Sequence, residues 1–174
     1  WVLDLFSKNY TFHLLQPLLG SSMHMRLQEL KKDHKQVLDF EELANYSLEL
    51  LPKLTHEQPS TEHFENLIAD KLHQFDAHEP IWVQRVGKSI GECKIPHPIL
   101  KHLKVSPLYL LSLEKEKRIE NVANTLETID TKEIFSRVNF FKKKLGCLKF
   151  NALTYALEKK EHQVIAEMLI SHFD

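Results

Sequence analysis

The sequence has 174 residues, 43% hydrophobic and 27% charged, which places it with ordinary folded proteins and favours one domain with a real core. Its formal net charge of -1 excludes a global basic field for nucleic acid, so any such contact needs a local patch. Two cysteines, Cys93 and Cys147, form no disulfide framework and fit a reducing cytosol, and no apolar run approaches the ~20 residues that cross a bilayer.

An apolar helical lead-in ends near Lys8, and Thr11 to Gln16 then reads as a short buried strand. Met23 to Lys32 reads as a helix with Leu27 and Leu30 inward, Gln36 to Phe40 as a second strand, and Glu41 to Tyr46 as a short helix. Residues 47–59 read as a loop with two prolines, and Ser60 as the N-cap of the next helix. In that helix Phe64, Leu67, Ile68, Leu72 and Phe75 share one face. Ile81 to Val83 reads as a third strand. Pro107 to Leu113 reads as a fourth, its leucines too dense for an exposed edge.

Beyond Leu113 the pattern turns helical, over 114–125, 132–145, 151–159 and 161–173. Val164, Ile165, Met168, Leu169 and Phe173 form the expected apolar face of the last helix. Strands alternating with helices imply a parallel sheet with right-handed crossovers. The expectation is therefore an α/β core over 1–113 with a C-terminal helical extension of the same domain over 114–174.

Residues 38–45, Leu-Asp-Phe-Glu-Glu-Leu-Ala-Asn, resemble the Asp-Leu-Glu-Gly-Leu-Ala-Asn block of bacterial tRNA 2-selenouridine synthases. Further echoes follow in that family's order. They are Gln58-Pro59-Ser60 leading to Phe64-Glu65-Asn66, Pro80-Ile81-Trp82-Val83, Ser89-Ile90-Gly91, Ile95-Pro96, Lys144-Leu145-Gly146 and His172-Phe173-Asp174. The resemblance covers nearly the whole chain and implies a P-loop NTPase-like parallel sheet flanked by helices. It also implies a parent activity that converts 2-thiouridine to 2-selenouridine at the tRNA wobble position through a geranylated intermediate. Selenophosphate and geranyl diphosphate would be the co-substrates. The family carries an N-terminal rhodanese domain with a catalytic cysteine. Nothing here corresponds to it, and the chain opens at Trp1, so the expectation is a cytoplasmic piece of a longer protein.

A P-loop works because backbone N–H groups converge on phosphate oxygens at a helix start. Glycines let the backbone approach, a lysine neutralises the β/γ-phosphates, and a Ser/Thr hydroxyl holds Mg²⁺. Where the family reads Gly-x-Thr-Gly-Ser-Gly-Lys-Thr, this chain has Pro17-Leu18-Leu19-Gly20-Ser21-Ser22-Met23-His24. Pro17 fixes φ and removes a donor, Ser22 replaces the glycine before the lysine, Met23 the lysine, and His24 the threonine. Gly20 and Ser21 remain. The expectation is a turn that binds no phosphate and needs no cofactor, with a weak residual anion site at Ser21–Met23 as the sharper alternative.

Two more polar segments depart from the family pattern. Glu-Asp-Glu-Ser-Arg becomes Gln84, Arg85, Val86, Gly87 and Lys88, and Ala-Asn-His-Arg-Gly-Ser continues as Ala44-Asn45-Tyr46-Ser47-Leu48-Glu49. Asp39, Glu41, Asn45, Arg85 and Lys88 are the candidate polar site at the strand ends, where switch-point ligands bind. For Asp39 a helix cap is equally open. Lys142, Lys143 and Lys144, beside Phe140 and Phe141, are either a solvated helix face or a tRNA backbone contact that Lys115, Lys117 and Arg118 could extend. Eleven histidines lack the spacing of a shared metal ligand set, and no catalytic residue is assigned. Three readings stand: an inactive relative serving as a structural or tRNA-binding module, an active transferase domain with a diphosphate site rebuilt from Arg85 and Lys88, and a protein-interaction domain.

Overall fold

The computed structural model describes residues 1–47, 53–54, 56–138 and 142–174, and only the backbone of 53, 54, 137, 143 and 144. It separates into two compact units. The first comprises the described residues of Trp1–Pro17, Met23–Leu48 and Lys53–Leu111, and the second comprises Leu18–Ser22 and Ser112–Asp174.

The first unit is built on a parallel sheet of β1 (Phe12–Pro17), β2 (Gln36–Leu38), β5 (Ile81–Gln84) and β8 (Leu108–Leu111), in the order β2-β5-β1-β8. Pairing sets Phe12 beside Ile81, Leu14 beside both Val83 and Leu108, and Val37 beside Trp82. One face packs Phe12, Leu14, Leu38, Ile81 and Val83 with residues of α1 (Val2–Phe6), α3 (Phe40–Leu43), α4 (Thr61–Gln74) and α5 (His97–Val105). Leu15 and Val37, on the other face, meet Met23 and Leu27 of α2 (Met23–Lys32). This is the expected P-loop-like α/β arrangement, with its helices on both faces of the sheet.

The α4 helix forms as its pattern predicts. Ser60 Oγ accepts the His63 N–H at 3.1 Å, and Phe64, Ile68, Ala69 and Leu72 are buried. Phe64, fully enclosed, is the kind of side chain whose truncation costs about 3–5 kcal/mol.

Several sequence expectations are corrected. The second strand stops at Leu38, because Asp39 Oδ1 accepts the Glu42 N–H at 3.1 Å and begins a helix one residue earlier than read. That helix ends at Leu43. Asn45 turns the chain with φ 51, and Tyr46 enters β3 (Tyr46–Ser47), which pairs antiparallel with β4 (Lys53–Leu54) inside the expected loop. Residues 48–52 and 55 of that loop lie outside the described residues. Beyond β5, a hairpin of β6 (Ser89–Ile90) and β7 (Cys93–Lys94) and the helix α5 were not read from the sequence. The fourth strand is shorter than expected and is the sheet edge, with Leu108 52% and Leu110 59% exposed.

The second unit is helical: α6 (Lys115–Glu127), α7 (Thr131–Val138), α8 (Lys142–Glu158) and α9 (His162–Phe173). The helix expected over 132–145 reaches Val138 in α7. Residues 139–141 lie outside the described residues, and α8 runs from Lys142 through the separately expected 151–159 segment. Gly146 interrupts its helical backbone at φ 76, ψ 161. The core gathers Val122, Leu126, Ile134, Leu153 and Leu157 with the face of α9. That face is Ile165, Ala166, Leu169 and Ile170, whereas Val164 and Phe173 stand outward. No helix among the described residues is long and apolar enough to cross a membrane.

Candidate functional site

In a parallel α/β sheet ligands meet the carboxyl ends of the strands. Here β1 ends at Gln16 and Pro17, β5 at Gln84, and β2 runs into Asp39. These ends carry polar side chains that bond to one another. Arg85 Nη1 donates to Gln16 Oε1 at 2.8 Å. Gln84, 8% exposed, donates from Nε2 to Glu41 Oε1. Asp39 is buried, caps α3 through Oδ1, and has Lys31 Nζ 3.7 Å from Oδ2. Lys31 also pairs with Glu42.

Of the sequence-proposed polar residues, Asp39, Glu41 and Arg85 thus lie at the strand ends. Asn45 faces elsewhere, its Nδ2 donating to the Glu57 carbonyl at 2.8 Å. Lys88 is exposed, and its carbonyl accepts the Ile95 N–H at 3.0 Å. Among the described residues no three His, Cys, Asp or Glu side chains gather as a metal set.

A second constellation was missed by sequence reasoning. Gln58 Nε2 donates to the carbonyls of Ala44 at 2.9 Å and Ile90 at 3.1 Å and lies 3.5 Å from Cys93 Sγ, while its Oε1 accepts the Glu92 N–H at 2.9 Å. A Cβ on Gly91, which sits at φ +57, would lie 2.1 Å from Gln58 Oε1. Ala44, Gln58, Ile90 and Gly91 come from three of the family-like blocks, and this node is where those blocks meet. Burial, followed by the Glu92 charge, raises the Cys93 thiol pKa, which opposes a nucleophilic role.

The residues of the phosphate-loop pattern divide between the two units. Pro17 pairs with Leu111 across β1 and β8. Met23, first residue of α2, is 5% exposed in the cluster of Leu15, Leu27 and Val37. His24 is exposed. Leu18–Ser22 belong to the second unit, held from α6. Arg118 Nη1 donates to the Leu19 carbonyl at 3.3 Å, and Asn121 Nδ2 to the Gly20 carbonyl at 2.8 Å. Ser21 is buried and donates from Oγ to the Leu18 carbonyl at 2.7 Å. Gly20 sits at φ +80, and a Cβ there would come 2.5 Å from the Arg118 carbonyl, closer than any side chain tolerates.

Arg118 was read as a residue that could extend a basic surface patch. It is instead 4% exposed and forked onto the Asp174 carboxylate, with Nη1–Oδ1 at 2.7 Å and Nη2–Oδ2 at 2.5 Å. The same hydrogen bond holds the Asp174 carboxyl below its ordinary range. Lys117 pairs with Glu120 at 2.6 Å. Lys142 is exposed, with Nζ 5.4 Å from the Phe150 ring centre, while the side chains of Lys143 and Lys144 lie outside the described residues. An open groove of about 300 Å³ between α8 and α9 is walled chiefly by Leu145, Leu153, Met168 and Leu169.

Among known proteins, residues 26–169 match the family described as "tRNA 2-selenouridine synthase AAA domain". The matched stretch starts after the loop of 17–24. The chain is 26% identical over 123 residues to a tRNA 2-selenouridine synthase of Nitrosomonas eutropha, covering 69% of this chain and 31% of that protein. It is 32% identical over 103 residues to one from a Sulfurovum species, covering 58% and 27%. The protein of the same name in Nitrosomonas europaea gives 26% over 123 residues, 69% and 32%. The chain spans about 30% of the length of these relatives.

Proposed function

Because the chain belongs to the tRNA 2-selenouridine synthase family, through its AAA domain, we propose that it is a member whose phosphate chemistry is lost. On this reading it is cytoplasmic, catalytically inactive by itself, and serves as a structural or tRNA-binding module. The observation that carries the reading is Met23. It holds the place of the family's lysine, and its side chain is packed among Leu15, Leu27 and Val37. A lysine there would neutralise phosphate charge, whereas a thioether in an apolar cluster contributes packing alone. Pro17 adds the loss of a backbone donor, and the carbonyls of Leu19 and Gly20 are engaged by Arg118 and Asn121. Conversion of thiouridine with selenophosphate and geranyl diphosphate needs the site that these residues no longer supply.

Arg85 at the end of β5, bonded to Gln16 at the end of β1, favours the second reading, an active transferase domain with a rebuilt diphosphate site. Calorimetric titration with ATP, GTP and geranyl diphosphate in the presence of Mg²⁺ separates the two. The first reading expects weak or absent binding, and sub-micromolar binding of any of them would overturn it. The tRNA part is tested by salt titration. Binding through Lys142, Lys143 and Lys144 should fall with salt along a shallow slope set by few phosphate contacts. Replacing all three by Gln should weaken it about equally across tRNA sequences. No tRNA binding even at low salt favours a protein-interaction domain.

A further inference from the structure

Among the described residues β8 is an edge of the sheet, and from Leu108 to Leu111 it carries neither a charged side chain nor a proline, two of the features that keep an edge single. Leu108, Tyr109 and Leu110 are 52%, 43% and 59% exposed. The Leu14 N–H donates to the Pro107 carbonyl at 2.9 Å, and Leu14 lies in register beside Leu108. Backbone groups alternate sides along a strand, so Tyr109 and Leu111 also bond toward β1. Leu108 and Leu110 therefore turn their N–H and carbonyl groups outward. An antiparallel copy of β8 centred on Tyr109 matches these groups fully. Leu108 of one chain then stands opposite Leu110 of the other, and such a pair exchanges both of its N–H and carbonyl groups. Tyr109 stands opposite itself in a pair without hydrogen bonds, where side chains approach closest. Its ring is held within its own chain, with ring centres 5.1 Å from His13 and 5.4 Å from Trp82. The charges agree with the same axis. Val105 through Leu113 contains no charged residue, and Lys104 and Glu114 end this run, both exposed and equally far from Tyr109 in sequence. Reversing one chain brings its Lys104 to the end of the edge where Glu114 follows the strand of the other, so unlike charges meet.

We propose that β8 is a self-association edge, pairing antiparallel with β8 of a second copy of this chain about a two-fold axis at Tyr109. The leucine density that reads as a buried strand then suits an edge that a second copy covers. The strand is only four residues long, and so short an edge covers less than the ~1,200 Å² at which stable interfaces begin. The dimer is therefore weak and concentration-dependent. The proposal stands apart from the reading of a lost phosphate site.

Sedimentation equilibrium over a range of concentrations tests it. The parent chain is expected to dimerise with a Kd of roughly 10–100 μM. Leu110→Lys, which sets an ammonium against the second copy's Leu108, weakens the dimer by about tenfold or more. Lys104→Glu also weakens it, and adding Glu114→Lys restores it. The axis is tested by oxidative cross-linking in a Cys147→Ser background. Tyr109→Cys cross-links readily, because its Cα atoms stand about 4.5 Å apart across the axis, within reach of a disulfide. Leu108→Cys and Leu110→Cys, each out of register with its own copy, cross-link far more slowly. A parent chain that stays monomeric up to about 500 μM overturns the proposal and leaves the edge to a strand of another protein. A dimer unchanged by Leu110→Lys overturns it as well, since that dimer uses another surface. Equal cross-linking at 108, 109 and 110 also overturns it. Should Leu110→Lys fail to fold by circular dichroism, the exposed Lys104 and Glu114 exchange and the cysteine series decide the question.

Discussion

The loop of residues 17–24, with Asn121 bonded to it, and the node around Gln58 use similar parts: small residues, a side-chain amide and a left-handed glycine. In the node every part has a partner within the chain. The Gln58 amide bonds the backbone at Ala44, Ile90 and Glu92, and Gly91, at φ +57, holds a backbone conformation that L side chains rarely adopt. In the loop, Gly20 and Ser21 behave the same way. Gly20 is required by the Arg118 carbonyl, and Ser21 bonds its own turn. On the proposed reading, Pro17, Ser22, Met23 and His24 stand where a working P-loop would direct its groups at a ligand. On the same reading, the loop keeps the positions that serve its backbone and departs at those that would serve phosphate.

Returning charge to the loop should have the largest effect. Met23→Lys places an ammonium in an apolar cluster and is expected to cost about 3 kcal/mol or more in urea unfolding. Combined with Ser22→Gly and His24→Thr, it is expected to give measurable ATP binding despite that cost. A folded triple variant that binds no nucleotide would shift the main defect to Pro17 or to the segment from Gln84 to Lys88. Breaking the node comes next. Gln58→Ala leaves two carbonyls and an N–H without their partner and should cost about 2 kcal/mol by the same measurement. A loss near zero would erase the contrast between node and loop.

The smallest effect is present at neutral pH and is lost in acid. The Arg118 hydrogen bond holds the Asp174 carboxyl below its ordinary range, against burial that pushes it up. A depressed carboxyl pKa contributes stability above the unfolded value of about 3.9, and that stability is lost as pH falls through the lower folded value. Asp174→Asn should therefore be less stable than the parent at neutral pH, with the gap closing below about pH 4. A gap that persists into strong acid would show that packing rather than charge fixes the contact.

Much of the frame was legible because it is written in local periodicity. The i, i+3, i+4 spacing and the Ser60 cap located α4, and the apolar runs located β1 and β5. The two-residue strands of β3, β4, β6 and β7 were not legible, since so short a strand shows no alternation. The α5 helix was passed over, although Pro98 in its first turn and Ile99 and Leu103 four apart were the available signal. At the candidate site, the residue types of the loop, Met23 among them, were readable one by one. The engagement of the loop by Arg118 and Asn121 was not, because these partners lie about a hundred residues away in sequence.

Residue types and near-neighbour spacing were enough for most of the alternation of strands and helices, and the ordered blocks that resemble the family were enough for the family. Three features needed the packed molecule: that Leu108–Leu111 is the sheet edge, which face of α9 is buried, and that Arg118 is a buried, carboxylate-bound cation rather than a surface charge. These depend on what packs against each element. A leucine run has the same pattern at an edge as in the middle of a sheet, and an arginine has the same charge whether it meets water or Asp174.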